Sequence, residues 1–78
     1  MAQGKLAEAE AALGEAVRLN SNDAEAHNAL AIVLARSGQL KLAREHLRYA
    51  ARLEPSNAVF AENTACAERQ LQHCKLKF

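Results

Sequence analysis

The sequence predicts an all-α protein of about four helices, arranged as antiparallel helix-hairpin repeats. Three observations carry that prediction. Apolar residues recur every three or four positions through most of the chain, the period of one helix face. A block of residues recurs at an offset of 34 positions. Ala, Leu, Glu, Lys and Arg dominate while β-branched residues are few, which favours helix over sheet.

The repeat is read by aligning Gly4–Asp23 with Gly38–Asn57. Gly4/Gly38, Leu6/Leu40, Ala9/Ala43, Leu13/Leu47, Ala16/Ala50, Arg18/Arg52 and Leu19/Leu53 match without a gap. The matched residues are mostly Gly, Ala and Leu, as expected where each copy builds one packing unit. Within the copies, Leu6, Ala9, Leu13, Ala16 and Leu19 step by three or four, and so do Leu40, Ala43, Leu47, Ala50 and Leu53. These stripes predict helices over about 3–19 and 39–53. Between them Ala26, Leu30, Val33 and Leu34 mark a third helix over 24–36, with Ala29, Ala31 and Ala35 small enough for close helix approach.

Local punctuation agrees. Asn22 or Asp23 is placed to cap the helix at 24, and Glu25 follows Asn22 by three, the spacing of a capping box. Ser37-Gly38 closes that helix, because Gly adopts the left-handed conformation of a helix C-terminus at little cost. Pro55 disfavours helix at Glu54 and stops the next one near Leu53. Ser56 or Asn57 then opens a last helix expected over about 57–76. The connections are short, which favours antiparallel neighbours in one domain spanning 1–78.

Composition excludes several function classes. Ten basic and nine acidic residues nearly cancel, and no basic stripe supports nucleic-acid binding. No apolar run approaches the roughly 20 residues of a membrane span. Lys5 is not followed by an apolar core, so no signal peptide is expected. Two cysteines are too few for a secreted disulfide framework, so a cytoplasmic setting is expected. Lys75 and Lys77 form a small basic tip, read as offsetting a helix C-terminus.

The segment 24–57 resembles a tetratricopeptide repeat (TPR). Its frame reads His27-x2-Leu30-Ala31-x2-Leu34, then Ala43-x3-Leu47, then Pro55, with Gly38 at the turn and Ala50 at a small position. The family pattern has an aromatic, Leu, Gly and Tyr, then Ala and Phe, then Pro at these places. Residues 4–23 look like the second helix of a preceding TPR, with Ser21 where Pro would stand. Residues 58–78 depart from the motif. Ala61, Thr64, Ala65 and Glu68 hold the signature positions, while Phe60, Thr64, Ala67, Leu71, Cys74 and Phe78 make a cleaner stripe. They are read as a long C-terminal capping helix, which a repeat stack needs at its end.

No constellation proposes catalysis. His27 sits at a packing position, and His46 precedes Leu47 on a partly exposed face. On one continuous helix Cys66 and His73 would lie seven residues apart, about 10 Å along the axis, too far for one ion. Cys66 and Cys74 would likewise be too far apart to join, so both are read as ordinary thiols. A metal- or redox-responsive dimer through Cys66, His73 and Cys74 is the weakest reading. Ser21, Ser37 and Ser56 fall at helix boundaries, where capping suffices. Gly4, Gly14 and Gly38 are isolated and form no phosphate loop, and Glu8, Glu10 and Glu15 read as a solvated face. The chain is therefore expected to be no enzyme and to need no cofactor or metal.

The resemblance implies a protein-interaction module whose first helices line a concave groove. Its candidate residues are Glu25, Asn28, Ile32 and Arg36 on the complete repeat, and Val59, Glu62, Asn63, Cys66 and Arg69 on the last helix. Asn is apt there because its amide both donates to and accepts from a peptide backbone. Arg can pair with a carboxylate. The expected partner is a protein, a peptide or a second copy, since about one and a half repeats leave an apolar edge that a dimer would cover. The alternative is an accessory TPR segment of a larger enzyme, such as a glycosyltransferase, whose catalytic part lies elsewhere.

Overall fold

The structure is a computed structural model and describes residues 3–70 and 75–77. It contains α1 (Gln3–Leu19), α2 (Ala24–Arg36), α3 (Leu40–Leu53) and α4 (Ala58–Gln70). Consecutive helices pack against one another, with α2 and α3 the most intimate pair. The assembly measures 33 × 30 × 18 Å, and its thin dimension is close to two helix diameters. The expected all-α hairpin stack is therefore what forms.

The helix ends follow from side-chain chemistry. Asp23 caps α2, its carboxylate accepting from the Ala26 N–H at 3.1 Å. The capping-box expectation for Asn22 is corrected, because the Asn22 N–H is turned to Asn20 Oδ1 at 3.1 Å in the preceding turn. Glu25 then sits at the second helical position, where its charge favours the helix N-terminus. At the other end Gly38 has φ +87°. Its N–H donates to the Ala35 carbonyl at 3.1 Å, and the Gln39 N–H donates to Leu34 at 2.8 Å. These paired bonds make a Schellman turn, which satisfies carbonyls that the helix end leaves open. Asn57 caps α4 by accepting from Val59 and Phe60 N–H.

The core is built from the repeat signature. Leu30, Ala31, Leu34, Ala43, Leu47 and Ala67 form one buried cluster, against which Leu13, Val17 and Leu40 pack. A second cluster joins Ala24, Ala50 and Phe60. Ala31, Ala43, Leu47 and Ala50 are wholly excluded from solvent. Three of the four are Ala, so the helix backbones approach closely at those points. Leu47 is the large side chain that fills the remaining space. Among its described side chains α1 has none fully buried, and Leu19 at its end is 71% exposed.

Two expectations about the C-terminal region are overturned. The last helix does not run to about 76. Its described part is Ala58–Gln70, and residues 75–77 are not helical. The inward stripe of α4 is Phe60, Asn63, Thr64 and Ala67, which repeats His27, Leu30, Ala31 and Leu34 at an offset of 33 rather than 34. The signature frame slipped by one residue here, which is why Ala61, Ala65 and Glu68 fall on the exposed side. Cys66 is not an ordinary thiol but is disulfide-bonded. The expectation of an ordinary thiol presumed one helix continuing to about 76, and residues 75–77 are not helical. Leu71, His73, Cys74 and Phe78 lie outside the described residues.

Candidate functional site

Between α2 and α4 two asparagines meet that lie far apart in sequence. Asn28 and Asn63 are each 2% exposed. Asn63 Nδ2 donates to Asn28 Oδ1 at 2.8 Å. Polar side chains this deeply buried are almost always hydrogen-bonded, and here a third group supplies further partners. Asn63 Nδ2 also donates to the Lys77 carbonyl oxygen at 2.6 Å, and Asn28 Nδ2 donates to the same oxygen at 2.8 Å. Asn63 Oδ1 accepts the Lys77 N–H at 2.9 Å.

One side-chain amide thus holds both the N–H and the C=O of one backbone residue. In a helix those groups point in opposite directions along the axis. In an extended strand they lie on the same side, which is how paired antiparallel residues exchange bonds. The Asn63 amide therefore grips Lys77 as a neighbouring strand would. The grip reads main chain, not side-chain identity.

Side chains of the same segment add two further contacts. Leu76 packs against the main core cluster, which includes Ala31 and Ala67. Lys77 Nζ pairs with Glu62 on α4 at 2.9 Å. The pair is largely exposed, so it orients more than it stabilises. Lys77 therefore does not act as a charge at a helix C-terminus. Lys77 lies beside α4 instead.

A cavity of about 320 Å³ adjoins the clamp, lined by Glu25, Asn28, Ala29, Asn57, Val59 and Phe60. Of the residues expected in the groove, Glu25, Asn28 and Val59 line this space, and Asn63 is bonded to Asn28 beside it. Ile32 is buried at 2% exposure. Arg36 is exposed and lines a different cavity, with Leu6, Ala7, Glu10 and Ser37 on the α1 side. Arg69 is exposed in the last turn of α4. Leu76 and Lys77 were missed as site residues. The signal for them was present, because Lys75-Leu76-Lys77-Phe78 alternates polar and apolar with the period of a strand.

His27 is a packing residue, as its position in the repeat frame implied. It is buried and stacks on Tyr49 with ring centroids 4.3 Å apart.

A model of the tetratricopeptide repeat family matches residues 1–58. The chain belongs to the tetratricopeptide repeat family. Its match covers α1 to α3 and the turn into α4, the part that carries the 34-residue periodicity. Neither the curated proteins nor the solved structures yield a match. TPR domains are in general protein–protein interaction modules and are typically non-catalytic. The α2–α4 groove is bounded by the first helix of the complete repeat and the helix that follows that repeat.

Proposed function

We propose that this TPR chain binds a partner protein by taking an extended peptide segment into the α2–α4 groove. The observation that supports it is the Asn28–Asn63 pair, whose amides are set to bond the N–H and C=O of one extended residue. Such bonds fix an extended backbone while leaving side-chain choice to the walls, the logic of strand addition. The adjoining cavity, with Val59 and Phe60 beside Glu25 and Asn57, offers those walls.

The test is a screen of random peptides at saturating concentration against the isotope-labelled chain, read by NMR. Binders are expected to perturb the side-chain amide signals of Asn28 and Asn63. Perturbations confined to α1 or to the outer face of α3 would overturn the reading.

A second reading, self-association, is favoured by α1. Its stripe of Leu6, Leu13 and Leu19 is incompletely buried, and Leu19 is largely in solvent. Another copy stacking on that face would cover it.

A further inference from the structure

The groove already holds an occupant, and that occupant is the chain's own C-terminal segment. We infer that residues 75–77 are a built-in pseudo-ligand, which gates the groove and displays the chemistry of the peptide it takes: an aliphatic residue followed by a basic one, in extended conformation. The inference rests on the peptide-groove reading above and names the ligand class and the gate.

Three independent contacts define that class. Leu76 is partly buried against the main core cluster, so its position favours an aliphatic side chain. Lys77 is clamped through its backbone by Asn63 and Asn28, so this position must be extended and must carry an N–H. The Lys77 ammonium meets the Glu62 carboxylate at 2.9 Å, so this position favours Lys or Arg and disfavours an acidic residue. A contact made only for stability has no need of paired buried amides. An apolar anchor would serve, and a buried amide that loses its partner carries a penalty. When the segment leaves, Asn28 and Asn63 are exposed as unsatisfied donors and acceptors that an incoming backbone can satisfy.

The tail competes from within the same molecule, at the high effective concentration of a short tether. A free peptide then binds only the fraction of chains whose groove is open, and its apparent affinity is reduced by that fraction.

The experiment uses the full chain with its Cys66 disulfide intact. Leu76→Asp combined with Lys77→Pro removes the anchor and the N–H donor and releases the tail. The probe is a labelled synthetic peptide of residues 71–78 carrying Cys74→Ser. It is expected to bind the released variant about tenfold or more tightly than the parent chain. Adding Asn63→Ala to the released variant is expected to abolish binding, and placing Glu at the Lys77 position of the peptide to weaken it. Equal binding to parent and released variant, with both folded by circular dichroism, would overturn the gate.

Hydrogen exchange on the unmodified chain supplies an independent check that no substitution can disturb. The Lys77 amide is expected to be protected to the level of the α4 amides, and free exchange at Lys77 in the folded chain overturns the proposal. The two readings fail differently. If library peptides perturb Asn28 and Asn63 equally in both chains, the groove stands and the gate falls. If peptides bind neither chain at those residues, the groove reading itself falls.

Discussion

His27 Nδ1 and His46 Nδ1 face each other at 3.0 Å, and the proton between them has one owner. His27 Nε2 lies 2.9 Å from the Ser21 carbonyl oxygen, which can only accept, so Nε2 carries a hydrogen. In the tautomer with that hydrogen on Nε2, His27 Nδ1 accepts and His46 donates its Nδ1–H. The pair ties the start of α2 to the middle of α3, with Tyr49 stacked on His27 and the Arg52 guanidinium 5.3 Å from the Tyr49 ring centre.

This pair predicts a pH dependence. Burial holds His46 below its ordinary value of 6.5, and His27 adds to that, against the opposing charge of Glu45. The unfolded chain takes up a proton near the ordinary value while the folded chain resists it. Stability is therefore present above that pH and lost as pH falls below it. The melting temperature is expected to drop between about pH 7.5 and 5.5, and His46→Gln is expected to flatten the drop over that window. A parent chain whose melting temperature stays level or rises on acidification would show that the pair is not coupled to folding.

Leu47 is the largest apolar side chain fully removed from solvent. It stands at a repeat position between α2, α3 and α4. Leu47→Ala is expected to cost about 2–5 kcal/mol, the range for buried Leu truncation. Chemical denaturation measures it, and a loss under about 1 kcal/mol would contradict the central packing.

Gly38 is needed for its backbone, not for space. A Cβ at Gly38 would meet nothing within 4 Å, yet its φ is +87°. Gly38→Ala is expected to cost about 1–2 kcal/mol from the left-handed conformation alone. Gly14 lies inside α1 and also has open space around it. Gly14→Ala should therefore act in the opposite direction and stabilise, by up to about 1 kcal/mol. The two variants compared by thermal melting separate a conformational need from a steric one.

Asn63 supports a sharper contrast. Asn63→Ala removes the clamp and leaves Asn28 and Lys77 short of partners, at about 1–3 kcal/mol. Asn63→Asp keeps the shape but loses both donors and sets a carboxylate against the Asn28 and Lys77 oxygens. It is expected to be the more damaging of the two. Equal stability of Asn63→Asp and the parent chain would refute the assigned hydrogen bonds.

Solution size tests the open face of α1. Sedimentation at micromolar concentration is expected to show a dimer or larger species, and Leu19→Lys to shift it toward monomer. A folded parent monomer would refute self-association through this face.

The main fold was legible in the sequence because its causes are local or periodic. The stripe from Leu6 to Leu19, the His27-Leu30-Ala31-Leu34 frame, Gly38 and Pro55 each act within a few residues. Together they determine three helices and their turns almost to the residue, and they place His27 and Leu47 in the core. The resemblance set Asn28 and Asn63 on facing helices, and the structure brings their amides together. What the tertiary structure alone decided is what those amides hold. A stripe running from Phe60 to Phe78 extends a helix on paper, since helical spacing says nothing about where a chain turns back. The non-helical course of residues 75–77, the engaged Cys66 and the seating of Lys77 depend on a long-range choice. The buried asparagines need a backbone partner, and the tail supplies one only after α2 and α4 have come together.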